Sequence, residues 1–246
     1  MLMTNEDRRQ LAIAAAEQAL PGLEHLSPTR MVAQVGGRRV ELTLRGAPMR
    51  TDTPDPNRIL ELRVPLPVPI KLGINQRDIY VHVGPVPIVT TGDPAFDAAF
   101  VVPGVPSEVV QRALDAPTRA WMRQYGQPHL MLQTDAWGAL SFSHSISLPR
   151  ENPSLPLTPQ LIADAAQALS HFASSLEASY RARRAEIVAQ QGEAGALAWE
   201  AQNEKLIQAR PLGWLRWAYF GCMALVLLVV VSTTAVFVIW MITATR

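Results

Sequence analysis

The sequence predicts an α+β protein: a mostly antiparallel sheet with short helices, then a long pair of amphipathic helices and one C-terminal transmembrane helix. Three observations predict this class. In the first part of the chain, short segments alternate apolar with polar residues between Gly and Pro, as half-buried strands do. After residue 158, apolar residues recur three and four apart, as on one face of a helix. An uncharged apolar run lies between Arg216 and Arg246.

The first elements are predicted to be a helix and a β-hairpin. Residues 6–20 have helical periodicity, and a Pro-Gly pair follows them. Residues 31–35 and 38–45 are predicted strands. The two residues between them, Gly36 and Gly37, can both adopt positive φ, which favours a tight hairpin turn.

Further elements follow the same patterns. Strands are predicted at residues 59–64, 79–83, 129–133 and 139–147, the last two as a hairpin. Helices are predicted at residues 107–114 and 117–125, with a helical turn or a strand at residues 96–102.

Residues 65–72 alternate proline with apolar residues. Proline cannot donate to a strand ladder, so this segment is predicted to be extended or at a sheet edge. Two interpretations of its apolar side chains are open, an exposed docking strip or a loop that packs on its own domain. The side chains concerned are Leu66, Val68, Ile70 and Leu72.

A long helix is predicted to begin after Thr158, which can cap it, with Pro159 at its first position. Gly192 and Gly195 interrupt the pattern before a second amphipathic helix at residues 196–208. The first helix carries one apolar stripe, made of Leu161, Ala165, Leu169, Phe172, Leu176 and Tyr180.

The apolar run predicts a membrane anchor. About 20 apolar residues span a bilayer as a helix, and the run is longer than that. Trp214, Trp217 and Tyr219 lie at its near end and Trp240 at its far end, as aromatic residues do at headgroup depth. The expected organisation is an α+β domain at 1–148, linker and amphipathic helices at 149–212, and the anchor at 213–246.

The expected location is the bacterial inner (cytoplasmic) membrane, in a single-pass, tail-anchored topology. Lys205, Arg210 and Arg216 precede the run, which places the N-terminal domain in the cytoplasm. The first residues lack the apolar region of a cleavable signal. High Ala, Arg and Pro content is associated with GC-rich bacterial genomes.

Composition excludes several classes of function. The formal net charge is +1, which gives no electrostatic case for nucleic acid. Cys222 is the only cysteine, so neither an intrachain disulfide nor a cysteine metal site is expected. No phosphate-binding, dinucleotide, hydrolase or zinc-protease motif is present, and no cofactor, metal or catalytic residue is predicted.

Some polar residues leave alternatives open. Asp93 and Asp97 form a carboxylate pair, which either serves acid–base chemistry or bonds its own turn. His82 and His144, with Tyr80, are candidates for a pocket on the predicted strands.

The tryptophans and one group of arginines have two interpretations each. Trp121, Trp137 and Trp199 are core or interface residues; Arg181, Arg183 and Arg184 are a solvated face or a headgroup contact.

One segment resembles a known pattern. Residues 91–104 read Thr-Gly-Asp-Pro-Ala-Phe-Asp-Ala-Ala-Phe-Val-Val-Pro-Gly. Residues 78–148 resemble a family of bacterial membrane-linked domains of unknown function, with the pattern T-G-D-x-x-F-D-x-x-F-x-V-x-G. The resemblance implies an α+β domain beside a membrane and no assigned activity.

The sequence therefore predicts a non-catalytic accessory or assembly subunit of a larger bacterial membrane complex, with respiratory and photosynthetic complexes among the hosts. The alternatives are a membrane-tethered sensor or ligand-binding module and, third, an enzyme. Expected partners are the lipid bilayer, other membrane subunits, or further copies of the chain. The candidate interaction residues are Leu169, Phe172, Leu176, Trp199, Trp214, Trp217, Gly221 and Ala224.

Overall fold

The computed structural model describes residues 5–45, 58–77, 85–125, 130–134, 139–146 and 158–208. Nearly all of them belong to one compact unit, and a second unit at 82–85 and 208–246 lies almost wholly outside them. The predicted strand at 79–83 and the predicted anchor at 213–246 also lie outside. Within the described ranges, no helix combines the length and the apolar character that crossing a membrane requires.

The described residues form a mixed α+β structure, as the sequence predicts. Its helices are α1 (Asn5–Ala19), α2 (Pro94–Ala99), α3 (Ser107–Ala113), α4 (Ala116–Tyr125) and α5 (Pro159–Gln208). Its strands are β1 (Glu24–Ser27), β2 (Arg30–Val35), β3 (Arg38–Arg45), β4 (Arg58–Pro65), β5 (Lys71–Gln76), β6 (Ile88–Val89), β7 (Phe100–Val105), β8 (Leu130–Thr134) and β9 (Ala139–Ile146).

The described strands form one sheet in the order β1-β2-β3-β4-β9-β8-β5-β7-β6, and every neighbouring pair is antiparallel. The predicted hairpin is confirmed, since Val35 pairs with Arg38 across a turn in which Gly36 has φ 57° and Gly37 φ 75°. Pairing of β4 with β9 brings residues distant in sequence together, with Leu62 opposite Phe142.

The proline-containing segment packs on its own domain. Leu66, Ile70 and Leu72 are only 8%, 5% and 4% exposed, and all three belong to the main core. The docking-strip interpretation of residues 65–72 is therefore wrong, because these side chains are not on the surface. The segment runs into β5, which lies between β8 and β7.

Helix α5 begins as its sequence predicts. The backbone N–H of Leu161 donates to Oγ1 of Thr158 at 3.2 Å. This bond satisfies one of the amide groups that a helix start leaves without an intrahelical partner.

The apolar stripe of α5 is internal. Leu169, Phe172 and Leu176 are 0%, 1% and 0% exposed and share one core with residues of the sheet. The expectation that these three side chains contact a partner is corrected, because the protein's own core already covers them.

The predicted helix pair is present as a helical hairpin, residues 159–208. Gly192, with φ 74° and ψ −179°, interrupts α5 in a conformation that disfavours residues with a side chain. Beyond it the chain folds back, so that the rings of Tyr180 and Trp199 lie 5.2 Å apart. Nε of Arg184 also donates to Glu200 at 3.0 Å.

Substitution of two leucines of α5 tests whether the apolar stripe is part of the hydrophobic core. Leu169 is fully buried, whereas Leu197 is 57% exposed on the same helix. We expect Leu169→Ala to lower the free energy of unfolding by about 2–5 kcal/mol through lost burial and a cavity. Leu197→Ala should change it by no more than about 0.5 kcal/mol. Urea unfolding followed by Trp fluorescence measures both, and equal effects would contradict the burial of the stripe.

Candidate functional site

Residues 91–97 form a hydrogen-bonded turn that leads into α2. Oδ1 of Asp93 accepts from the backbone N–H of Phe96 at 3.1 Å and so caps the helix. The carboxylate of Asp97 accepts from the backbone N–H of Thr91 at 3.0 Å and from its hydroxyl at 2.8 Å. Phe96 between them is fully buried. Both carboxylates thus have local structural partners, which supports the turn interpretation of this pair.

Asp93 also joins this turn to α4. Its Oδ2 lies 3.2 Å from Nε of Arg119 and 3.1 Å from an η nitrogen of Arg123. The hydrogen bond from Phe96 and the two guanidinium groups hold the pKa of Asp93 below its ordinary value. The carboxylate is therefore ionised at neutral pH and holds α2 against α4.

A set of polar contacts attaches the helical hairpin to α3. We call it the polar clamp: Glu108, Arg112, Arg183, Glu186 and Trp199. Oε1 of Glu108 accepts from Nε1 of Trp199 at 3.0 Å and from Nε of Arg183 at 3.4 Å. Arg112 donates to both carboxylate oxygens of Glu186 at 2.6 and 3.1 Å. Trp199, a candidate interaction residue, thus packs half-buried within its own chain.

The arginine cluster of α5 is engaged by carboxylates of the same chain. Arg181 pairs with Glu177, as its i,i+4 spacing allows. Arg183 pairs with Glu108 and Glu186, and Arg184 pairs with Glu193 and Glu200. This pairing supports a solvated helix face rather than a headgroup contact.

A groove of about 410 Å³ lies between α4 and α5. Its described lining residues are Pro117, Thr118, Trp121, Gln124, Asp164, Gln167, Ala168 and His171. They recur three and four residues apart on each helix, so one face of α4 and one face of α5 form the walls. The groove has the size of an ordinary small-molecule pocket.

Asp115 contacts two of the residues that line the groove, one on each helix. Its Oδ1 accepts from the backbone N–H of Thr118 at 2.9 Å, and its Oδ2 lies 2.6 Å from Nε2 of His171. Burial alone would raise the pKa of Asp115, but interactions with Thr118 and His171 outweigh burial and lower it. An ionised Asp115 can only accept, so Nε2 of His171 is the donor in this hydrogen bond.

Other residues predicted for sites lie outside the described part of the chain. These are Tyr80, His82, Trp214, Trp217, Gly221 and Ala224. For His144 only the backbone on β9 is described, opposite Leu60 and Leu130. The predicted strand pocket therefore stays a prediction. In the described ranges, no cluster of three or more His, Cys, Asp or Glu is placed to hold a metal ion.

Sequence reasoning missed the groove, although its signal was present. Thr118 and Trp121 on α4 are three apart, and Asp164 and His171 on α5 are seven apart, beside the buried stripe. Only the packing of α4 beside α5 reveals that these two sets meet.

Comparison with known proteins finds a weak structural similarity and no match in sequence. No protein-family model and no curated protein matches this sequence. The structure is weakly similar to the crystal structure of the mycobacterial trehalose monomycolate transport factor A, with a TM-score of 0.38 and 9% sequence identity. That likeness covers 60% of this chain and 70% of the other. At this level it supports no conclusion about the fold or function of this chain.

Acidification should weaken the contacts between the helical hairpin and the domain. Arg38 chiefly lowers the pKa of Glu177 below its ordinary 4.5. At Glu108 burial raises the pKa, but the residue's own backbone N–H and then hydrogen bonds from Trp199 and Arg183 outweigh burial and lower it. Stability from a lowered carboxylate pKa is complete above the unfolded-state value and is lost as pH falls through the folded-state value. We therefore expect the free energy of unfolding to fall as pH drops below about 4.5.

The Glu177→Gln variant should flatten this pH dependence, whereas Glu24→Gln at an exposed position of β1 should leave it unchanged. Urea unfolding at a series of pH values provides the comparison. A Glu177→Gln profile parallel to that of the original chain would show that the Arg38 contact is not the cause.

Tyr180 should titrate later than an ordinary tyrosine. Burial first, and then the nearby Glu200 carboxylate, raise the pKa of Tyr180 from 10.0 to about 12. The neutral phenol therefore stabilises the fold below pH 10.0, and this contribution is lost as pH rises towards about 12. Subtracting the phenolate absorbance titration of Tyr180→Phe from that of the original chain isolates this group. A difference curve centred near 10 would contradict the closed hairpin.

Proposed function

We propose that this protein is a non-catalytic, single-pass membrane protein whose cytoplasmic domain serves a larger bacterial membrane complex as an accessory or assembly subunit. The observation that carries the proposal is the attachment of the C-terminal end of the helical hairpin to the sheet. Nζ of Lys71 on β5 donates to the carbonyl oxygen of Ile207, in the last described turn of α5, at 2.9 Å. The polar clamp attaches the hairpin to the domain near the reversal at Gly192, and this bond attaches it near the C-terminal end of α5.

The short distance in sequence between α5 and the apolar run supports work at the membrane. Trp217 lies nine positions after Gln208 in the sequence, and a chain of that length spans roughly 30 Å at most. A domain tethered so closely meets partners that are themselves in or on the bilayer. Subunits of energy-transducing complexes, respiratory or photosynthetic, are partners of this kind.

Because the apolar stripe of α5 is buried, we propose that the partner is contacted by other candidate residues. Leu169, Phe172 and Leu176 are used by the protein's own core. Of the remaining candidates, Trp214 lies just before the apolar run, whereas Trp217, Gly221 and Ala224 lie within it. Gly221 and Ala224 are three apart. Small residues at this spacing let membrane helices approach closely.

One observation favours the second candidate, a membrane-tethered ligand-binding module. The groove between α4 and α5 is large enough for a small molecule and combines a Trp side chain with several polar groups. It differs from the pocket expected around His82 and His144, because it is lined by helices.

Extraction from native membranes tests the leading proposal. We expect the tagged full chain to leave the membrane in mild detergent with a stoichiometric partner that mass spectrometry identifies. Gly221→Leu with Ala224→Leu should abolish this association, because the larger side chains prevent close approach. The matched control, Val226→Leu with Val230→Leu, enlarges side chains on the other side of a helix and should retain the partner.

Both double variants should remain in the membrane after an alkaline carbonate wash, which confirms that the anchor still inserts. A monomer or a homo-oligomer without another protein would contradict the accessory-subunit proposal. Retention of the partner by the Gly221 and Ala224 variant would contradict the proposed contact face.

A further inference from the structure

Gly192 is the point at which α5 reverses direction. Its backbone, with φ 74° and ψ −179°, lies in a region that only glycine occupies readily. It is the one residue within α5, all of which the structure describes, whose backbone is not helical. Rotation about the backbone bonds of this single residue is therefore enough to convert the hairpin into one continuous helix.

Gly195 is required by the reversed form for a different reason. A Cβ added to Gly195 would lie 2.4 Å from Cβ of Gln191, which is closer than real Cβ atoms approach. In a continuous α-helix the Cβ atoms of residues four apart are roughly 5–6 Å from each other, so the straight form has room for a side chain there. At Gly192 an added Cβ meets nothing within 4 Å, so only the backbone conformation excludes other residues. Both glycines thus specify the reversal, and a continuous helix requires neither.

The residues after the reversal, 193–208, are less deeply packed than the first half of α5. We call them the return arm. Ala196 is its one buried residue, and Leu197 is 57% exposed. The first half instead buries the apolar stripe in the core. Detaching the return arm therefore exposes little of the core, and elements of this kind can open while the rest of a domain stays folded.

The described contacts of the return arm are chiefly polar. Nε1 of Trp199 donates to Oε1 of Glu108 at 3.0 Å. Arg184 of the first half pairs with both Glu193 and Glu200 of the arm. Water and dissolved ions compete for partly exposed contacts of this kind. The return arm is therefore held by exchangeable contacts, with Trp199, which also packs against the core, as the largest of them.

We propose that α5 is a two-state tether. In one state the return arm folds back at Gly192, and in the other α5 is a single continuous helix. At about 1.5 Å per residue the return arm is roughly 24 Å long, so straightening carries its end from beside the domain to well beyond it.

This movement changes the connection between the domain and the apolar run. Trp217 lies nine positions after Gln208, so the straight form lengthens that connection. A partner that binds the longer form more tightly shifts the equilibrium towards it. The inference does not depend on the accessory-subunit proposal, because both states belong to the chain itself.

Distances between two nitroxide labels test the two states in the full chain, purified in an uncharged detergent. Cys222→Ser removes the native thiol, and Ala178→Cys with Gln202→Cys places one label at an exposed position of each half. In a continuous helix these positions are roughly 36 Å apart, whereas helices packed side by side have axes about 8–10 Å apart. Double electron–electron resonance therefore separates the two forms. We expect the short distance to dominate in the labelled chain without further substitution.

Gly192→Ala together with Gly195→Ala should raise the ratio of long to short distances by at least about tenfold, since alanine stabilises a continuous helix relative to glycine at both positions. The matched control is Gly22→Ala, before β1, where φ is 76° and an added Cβ also meets nothing within 4 Å. It imposes similar backbone strain outside α5 and should leave the distance short. Equal lengthening in the control would contradict the role of the two α5 glycines.

Trp199→Ala tests whether the straight form is reached with both native glycines in place. Loss of the ring and of its bond to Glu108 should raise the ratio of long to short distances by about tenfold or more. The control, Leu197→Ala at an exposed position of the same arm, should keep the short distance. Far-UV circular dichroism measures the helix content of every variant.

Three other results would overturn the proposal. One is the persistence of the short distance alone in either the double glycine variant or Trp199→Ala, with the domain folded. Another is a broad distance distribution with loss of helical circular dichroism, which would show that the return arm unfolds instead of straightening. The third is a short distance between copies that carry one label each, which would assign that distance to a pair of chains rather than to the hairpin.

Discussion

Burial of one apolar stripe of α5 in the core of the sheet is the interaction on which the rest of the structure depends. Leu169 and Phe172 belong to the same buried cluster as Leu42, Leu62 and Leu140 of three different strands. The approach is close at the β2–β3 turn, where a Cβ added to Gly36 would lie 3.6 Å from Cβ of Ser170. Apolar burial of this kind is the main favourable term in folding. The stripe therefore stabilises the domain and is not available to another protein.

The position of α5 determines the other features of interest. Because its first half is fixed on the sheet, the reversal at Gly192 brings Trp199 back to Glu108 and Ile207 to Lys71. The outer side of the same half faces α4 through the contact between His171 and Asp115, which leaves the groove between the two helices. The attachment near the apolar run and the candidate ligand site thus both follow from one helix.

Sequence reasoning succeeded where the determinant is local. The cap at Thr158, the turn at Gly36 and Gly37, and the break at Gly192 each depend on the conformational preferences of a few neighbouring residues. It could not give the pairing of β4 with β9, because that contact joins distant segments whose patterns are compatible with several partners. The groove was missed for the same reason, and the burial of Leu66, Ile70 and Leu72 stayed one of two open interpretations, since both features are created by packing between elements far apart in the sequence.

Hydrogen exchange of the full chain, read by mass spectrometry, tests most directly whether α5 is part of the domain core. We expect amides of residues 161–180 to exchange as slowly as those of β3, β4 and β9, because they open in one cooperative unit. Fast exchange along residues 161–180 beside a protected sheet would contradict it. Such a result would show that α5 is a separate arm whose apolar stripe needs a partner after all.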